Sequence, residues 1–332
     1  MKILAIRFAR LGDVILLLPA LASLKAKFPN SELTLLTGHR CAPIAELCPY
    51  VDDVLSVDRL AMRDGPPWRA LSRMSSLIRD VRRRHFDLVV DFHSFRETNL
   101  LAWLSGAPMR IGMKRYKAPF LGFCFNSPPV VEDKSLHVAE MFQKVVAAVP
   151  ATNLEAARYR ACALPSQSVR SPDVLGRLTN EKAKEKTVVL YVDAPVPERI
   201  WPPEKFAEIA NFASERLGAA VIVIASSERA ELASRIKTAV RNREKLKVFT
   251  DLDLQQLAAT IASGHLLVSN DTGPMHIGPA VGVPTVGLFS VGYPEHFRPI
   301  GEHDRFLRGN PIQAIETSDV MKVIGEVWDY CC

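Results

Sequence analysis

Cysteine is scarce and unpatterned in this chain. The six in 332 residues (Cys41, Cys48, Cys124, Cys162, Cys331 and Cys332) show neither zinc-ligand spacing nor a dense disulfide framework. That argues against a stapled secreted scaffold and makes reduced thiols in the cytosol the expectation. Long apolar runs are missing too: none reaches the roughly 20 residues that a bilayer-spanning helix needs. Val14 to Ser23 imitates a signal-peptide core, but Arg7, Arg10 and Asp13 precede it and KILAIR already reads as a buried strand. No aromatic-interleaved basic motif and no finger spacing is present. Nucleic acid is therefore the weakest of the acidic partners that a net charge of +6 and a pI of about 9.0 favour. An anionic membrane surface or a phosphorylated substrate fits that charge better. Arg82, Arg83 and Arg84 read as the solvated end of a helix.

What is present is an alternation of short β runs with helices. Strands are predicted at 2–7, 32–37, 53–57 and 87–92, with helices at 13–28, 43–47, 69–84, 97–105 and 137–149 between and after them. In the last of these, Val138, Met141, Phe142, Val145, Val146 and Val149 share one face. Residues 150–186 are rich in Ala, Pro, Ser and charge, and 166–173 reads as a linker. The alternation then restarts. Strands are expected at 187–192 and 220–225, and helices at 205–217, 228–240, 254–262 and 319–330, with Gly218 stopping the first of these helices. The expected architecture is two doubly wound α/β domains facing a cleft, with ligands at the carboxyl ends of the strands. The boundaries are 1–165 for the first domain, 166–186 for the linker and 187–332 for the second domain. The last helix is expected to pack back on the first domain.

The chemistry concentrates in two turns. The segment HLLVSNDTGPMHIGPAVGVPTVGLFS (265–290) reads as strand, tight turn, short helix and second strand. Pro274 suits a first helical turn, and Gly282 ends the helix. Such a turn presents free backbone N–H groups and binds phosphate. Asp271 in the same turn would grip a hydroxylated group. The pairing points to a nucleotide-sugar, against the bland alternative of an ordinary capped turn. The first strand ends in RFARLGDV, where Gly12 permits a tight turn or a close ligand approach. Asp13 is either a cap for the helix that it opens or a general base held rigidly at a strand end. Asp251 and Asp253 form the nearest Asp-x-Asp pair to the donor half, and they read as the cap of the helix that follows.

Four segments taken together resemble glycosyltransferase family 9, the lipopolysaccharide heptosyltransferases. They are MKILAIRFARLGDVILLLPALASLKAKFPNSELTLLTG, DLVVDFHSFRETNLLAWLSGAPMRIGM, ERIWPPEKFAEIA and SNDTGPMHIGPAVGVPTVGLF. The LGD near the N-terminus and the DTGPMH turn are the most specific pieces, and the likeness covers nearly the whole chain in order. It implies a GT-B fold and an inverting, metal-independent and cofactor-independent transfer. The donor would be ADP-heptose, bound by 187–332, and the acceptor the lipopolysaccharide inner core, bound by 1–165, on the cytoplasmic side. The stretch RIGMKRYKAPFLGF mixes cations with Tyr116, Phe120 and Phe123 and reads either as a basic surface loop with a few core anchors or as a contact with the anionic inner-membrane surface.

Carried over residue by residue, the resemblance makes Asp13 the base that takes the acceptor hydroxyl proton. Thr272 and Gly273, with the helix opening at Pro274, would hold the diphosphate, and Asp271 the sugar hydroxyls. His276 reaches the phosphates, braces the turn or is simply a half-buried histidine. Arg199 is a departure. It stands where the family usually carries Lys before the Trp of a WPPE-like motif, and Ala194 and Pro195 replace small hydroxyl residues there. Arg keeps the charge but offers a planar fork rather than a point charge. Glu228, with Glu231 as competitor, is the candidate for ribose hydroxyls. Arg7, Arg10, Arg110, Lys114, Arg115 and Lys117 supply cations for an acceptor bearing carboxylates and phosphates. Three alternatives stay open. The first is a family member with another nucleotide-sugar donor or glycan acceptor. The second is an epimerase or hydrolase of the same build, with His93 and Glu97 as its acid–base candidates. The third is a binding protein without turnover, against which a retained Asp13 speaks.

Overall fold

A computed structural model describes residues 1–8, 10–58, 67–150 and 185–331. The chain divides into two compact units, 1–162 and 163–332. The expected linker, apart from Glu185 and Lys186, lies outside the described residues.

The N-terminal unit is built on β1 (Lys2–Arg7), β2 (Glu32–Gly38), β3 (Asp53–Val57), β4 (Leu88–Asp91), β5 (Met109–Lys114) and β6 (Val130–Val131). They form one sheet in the order β3-β2-β1-β4-β5-β6, and every pairing is parallel. Parallel strands need crossover helices, so both faces are covered and the central strands are continuously apolar. Accordingly Ile3 to Ile6 and Leu88 to Val90 are fully buried. Because β1 pairs with both β2 and β4, the chain direction of crossover reverses between β1 and β4. That is where doubly wound sheets bind ligands, beyond the carboxyl ends.

The predicted helix over 13–28 is two helices: α1 (Leu11–Ile15) and α2 (Leu18–Lys27). Pro19 has no N–H to donate to the preceding turn, so it sits in the first turn of α2, where none is needed. α3 is a single turn (Ala42–Ala45), α4 spans Pro67–Arg83, α5 Arg96–Leu104 and α6 Val138–Ala148. α6 buries the predicted face of Val138, Met141, Phe142, Val145 and Val146.

The C-terminal unit repeats the plan. Its strands are β7 (Thr187–Tyr191), β8 (Ala220–Ile224), β9 (Leu246–Phe249), β10 (Leu266–Asn270), β11 (Thr285–Phe289) and β12 (Arg305–Arg308). Their order is β12-β11-β10-β7-β8-β9, again all parallel, with the switch point between β7 and β10. The helices are α7 (Pro203–Arg216), α8 (Ala230–Ala239), α9 (Leu254–Ala262), α10 (Ile277–Ala280), α11 (Pro294–Phe297) and α12 (Thr317–Cys331). Gly218 and Gly282 take the left-handed conformations expected of helix stops, with φ of +66° and +74°. Asp253 caps α9 by accepting from Gln256 N at 2.8 Å, as the sequence suggests. α12 contributes Val320, Ile324 and Val327 to the core of this unit, against the sheet and α7.

Strands β5, β6, β9 and β12 escape the sequence pattern. They lie toward the sheet edges and are short, and β5, β9 and β12 are interrupted by cations, so their apolar signal is weak. The stretch around Arg110 to Lys114 is therefore a strand, where the sequence suggests a loop.

Candidate functional site

In the C-terminal unit the end of β10 is braced from two sides. Asn270 donates through Nδ2 to Val192 O (2.9 Å) and accepts from Trp201 N (3.2 Å). Trp201 is fully buried, stacks edge-on against Phe206 and donates Nε1 to Ile315 O at 3.1 Å. This ties the loop after β7 to the end of β10 and brings Arg199, in the tight turn Pro197–Arg199, over the following residue. Arg199 Nη1 lies 3.1 Å from Asp271 Oδ2 and 3.4 Å from Asp271 O. Asp271 is buried, and burial pushes its carboxyl up from the ordinary range while the Arg199 charge opposes the rise. Arg199 Nε is buried without a hydrogen-bond partner among the described residues.

Thr272 leads into a tight 3-10 turn, Gly273–His276, which continues as α10. The expected helix at Pro274 thus starts one turn tighter than an α-helix. The first bond of this turn runs from Met275 N to Thr272 O, so it uses neither the Thr272 nor the Gly273 amide. His276 is buried rather than half-buried. Gly292 packs so closely that a Cβ there would stand 2.6 Å from Asp271 Oδ2.

Glu228 is exposed in the short turn Ser227–Arg229, and Glu231 is exposed in the first turn of α8. The buried carboxylate at this edge is Asp193, two residues past β7. It accepts from Ser226 Oγ and lies 4.0 Å from Arg229 Nε. The sequence signal for it, an Asp closing TVVLYVD, is visible but not distinctive.

In the N-terminal unit, Asp13 stands in α1 with its side chain 24% exposed. Its Oδ1 accepts from Arg7 Nη2 at 2.6 Å. Arg7 is buried at the end of β1. It also donates Nη1 to Phe92 O at 2.7 Å, and its guanidinium lies 4.8 Å above the Phe142 ring. Desolvation lowers its pKa, against Asp13, yet an arginine remains charged. Arg7, grouped by sequence with the acceptor cations, thus serves to hold Asp13. Gly12 is buried beneath the same turn, and Arg10 is exposed at the cap position of α1.

At the neighbouring strand end, fully buried Asp91 accepts from His93 N, Ser94 N and Asn99 Nδ2, each at 2.9 Å. Burial raises its pKa against those bonds. Arg110 is spent on structure: it donates Nε to Cys124 O at 2.8 Å and Nη1 to Ala107 O. Lys114 is exposed at the end of β5. His93 is buried between Phe8 and Phe95, with ring centroids 5.6 and 4.3 Å away, while Glu97 is exposed in the first turn of α5.

Residues 74–324 match the pattern of Glycosyltransferase family 9 (heptosyltransferase). The chain belongs to this family. As a family 9 member it is a glycosyltransferase, and its relatives agree. It is 22% identical to a putative glycosyltransferase of Haemophilus influenzae, over 97% of this chain and 93% of that protein. It is 21% identical to lipopolysaccharide heptosyltransferase 2 of Escherichia coli, over 93% of this chain and 88% of that one. Among solved structures, E. coli heptosyltransferase WaaC with ADP matches 98% of this chain and 100% of its own at a TM-score of 0.84 and 20% identity. The family 9 glycosyltransferase of Veillonella parvula matches 99% and 97% at 0.80 and 24%. These likenesses identify the two doubly wound units as a GT-B fold. No described helix of this family 9 enzyme is long and apolar enough to cross a membrane.

Proposed function

We propose that the enzyme transfers heptose from ADP-heptose to the inner core of lipopolysaccharide with inversion, and that Asp13 is the general base. The observation that carries the donor half is the Arg199–Asp271 pair, at the carboxyl end of β10 and beside the amides of Thr272 and Gly273, which donate to no backbone carbonyl among the described residues. A diphosphate leaving group gains charge as the glycosidic bond breaks, and donors fixed in advance stabilise that charge without reorganisation. In this reading the Thr272 and Gly273 amides hold the diphosphate and Arg199 faces the same charge. The unpaired Arg199 Nε is a cost that an incoming oxygen would relieve. Asp271, its carboxylate offset by Arg199, takes hydroxyls of the sugar. The bound ligands named for E. coli WaaC, ADP and ADP-2-deoxy-2-fluoro heptose, support the choice of donor.

The acceptor half follows from Asp13. One carboxylate oxygen is anchored to Arg7, and no described hydrogen bond engages the other. That second oxygen is the one that would accept the proton of the attacking hydroxyl. An in-line attack on the anomeric carbon needs only this base and a stabilised leaving group. Exposed Arg10 and Lys114 remain as cations for an anionic acceptor, while Arg110 is committed to the Cys124 and Ala107 carbonyls. Names of relatives such as lipopolysaccharide heptosyltransferase 2 support such an acceptor.

Calorimetric titration with ADP, UDP and GDP, without added metal, tests the donor. Selective ADP binding is expected. Preference for UDP or GDP, or an absolute need for a divalent ion, would overturn the assignment. Asp13→Asn tests the base: transfer should fall about 10²–10⁴-fold with ADP affinity unchanged.

A further inference from the structure

A nucleotide-sugar carries two hydroxylated rings, one on each side of a diphosphate. Among its described residues the C-terminal unit buries two carboxylates, Asp193 and Asp271. They stand on either side of the bond that joins the ends of β7 and β10. Asn270 Nδ2 donates to Val192 O at 2.9 Å, and each partner is followed at once by an aspartate. Asp271 is paired with Arg199, beside the Thr272 and Gly273 amides, and serves the transferred sugar. Asp193 is left without a task.

Asp193 is held from one side only. Its Oδ2 accepts from Ser226 Oγ, two residues past β8. Val192 N donates to Ile224 O at 3.0 Å, so the ends of β7 and β8 are tied together and the pair is fixed in place. Oδ1 receives no hydrogen bond among the described residues. The cation beside it, Arg229, places Nε 4.0 Å away, too far for a hydrogen bond. The Arg229 side chain is 37% exposed and can swing aside. An ionised carboxylate has about four acceptor positions, and a buried one left underfilled calls for an explanation. The Asp193 side chain is 11% exposed, so a ligand can reach it.

The chemistry of the pair selects the ligand. The Ser226 hydroxyl hydrogen is committed to Asp193, so the two groups offer only oxygen lone pairs. Such a pair repels phosphate and accepts from O–H groups. The location agrees. Neighbouring strands lie about 4.8 Å apart. The order β10-β7-β8 therefore sets Asp193 and Ser226 one to two strands across from the turn after β10. That is the step from a phosphate to the ribose that it esterifies. In doubly wound sheets a carboxylate past a strand end takes ribose hydroxyls. Glu228 lies two residues beyond Ser226 but is exposed, and a solvated carboxylate only exchanges water for ligand.

We propose that Asp193, oriented by Ser226, accepts the ribose hydroxyls of the bound nucleotide and makes the donor site selective for ribonucleotides. This deepens the heptosyl-transfer reading. It rests on that reading for the presence of a nucleotide and not for the identity of its base, because ADP, UDP and GDP share the ribose.

The experiment is calorimetric titration of the full chain with ADP and 2′,3′-dideoxy-ADP, and with the corresponding uridine pair. The wild type should bind ADP at least about tenfold more tightly than the dideoxy form, as expected for hydrogen bonds to a charged group. Asp193→Ala should weaken ADP by at least about tenfold and leave the dideoxy form within about twofold, so that the ratio falls toward one. Asp193→Asn keeps the shape and one acceptor oxygen, and should give a ratio in between. It carries the test if circular dichroism shows Asp193→Ala to be misfolded. Ser226→Ala should lower the ratio by less, and Glu228→Gln should keep it. Equal weakening of both ligands by Asp193→Ala would mean a purely structural carboxylate and overturn the proposal. Tighter ADP binding by that variant would do the same, because Asp193 would then only repel phosphate. So would a ratio lost in Glu228→Gln and kept in Asp193→Ala. Ribose selectivity seen with UDP rather than ADP would sink the donor assignment and leave Asp193 standing. ADP binding indifferent to the two hydroxyls would do the reverse, and no binding of any of the four would overturn both.

Discussion

Arg7→Met is the most revealing single change, because the side chain touches three things at once. Methionine keeps the stem against Phe142 and loses both donated bonds, 2.6 Å to Asp13 Oδ1 and 2.7 Å to Phe92 O. Breaking a buried pair by removing one partner costs roughly 3–5 kcal/mol. Here Asp13 is 24% exposed, so water recovers part of that, whereas the Phe92 carbonyl is left unpaired at about 1 kcal/mol. The expected loss is about 3 kcal/mol. Asp13→Asn removes the opposite charge but leaves a neutral acceptor for Arg7, and should cost about 2 kcal/mol. If the two residues act as one pair, the double variant costs about 3 rather than about 5 kcal/mol, a coupling of about 2 kcal/mol. The assay is hydrogen exchange at Leu4, Ala5, Ile6, Val89 and Val90, measured across a denaturant series. These amides belong to the buried central strands and report the N-terminal unit whatever the other unit does. Additivity of the single changes within about 0.5 kcal/mol would refute the pairing as the device that holds Asp13. Arg7→Met should also slow transfer while leaving ADP affinity untouched, since the donor turn belongs to the other unit.

Three further outcomes follow from close contacts and burial. Gly292→Ala places a methyl 2.6 Å from Asp271 Oδ2, so the carboxylate must swing off Arg199. ADP affinity by calorimetry should change about fivefold, equivalent to about 1 kcal/mol, and an unchanged value would show that the pair is not part of the donor site. Gly278→Ala sets a methyl 2.1 Å from Thr285 Oγ1 and 3.2 Å from Val283 O. It should destabilise the C-terminal unit by about 1–3 kcal/mol in urea unfolding. Asp304 accepts from Thr285 N and Gly301 N, and its pKa is raised from 3.8 to about 6, burial being the main cause. The folded state therefore holds the proton more tightly. The group weakens the fold as pH climbs from about 4 to about 6, and adds no further pH dependence above that. The stability gap between wild type and Asp304→Ala should narrow across this window by about 2 kcal/mol, discounted for partial exposure. A gap that widens would reverse the sign of the shift.

Much of the fold was legible because buried parallel strands advertise themselves. KILAIR, DLVVDF, TVVLYV and HLLVSN are near-continuous apolar runs, and all four are central strands. The strands that escape the pattern, such as MRIGMK at 109–114 and RFLR at 305–308, lie nearer the edges and are interrupted by cations. Pro19 is plain in the sequence, yet its power to split one helix into two depends on where the backbone needs a donor. The DTGPMH turn was legible as a phosphate-type turn because Gly and Pro act locally. Arg199 was identified as a departure from the family pattern, but its bond to Asp271 was not. The sequence points to Glu228 for its place after β8, and the structure leaves it facing solvent, whereas the buried carboxylate at this edge, Asp193, carries no distinctive local signal.

The sequence by itself determined the central strands and most of the helices, that those strands are parallel and buried on both faces, and the two strand-end turns that it offers as candidates for polar chemistry. Those properties are local: they depend on periodicity, on backbone conformation and on donors within a few residues. Only the tertiary structure decided the partners. Arg7 reaches Phe92 across 85 positions, and Arg199 reaches Asp271 across 72. Both pairs arise because β1 neighbours β4, and β7 neighbours β10, at the two switch points. Strand order is set by how whole helices cover both faces of a sheet. That global choice of packing turned a row of scattered cations into one that holds Asp13, one committed to backbone carbonyls and one paired with Asp271.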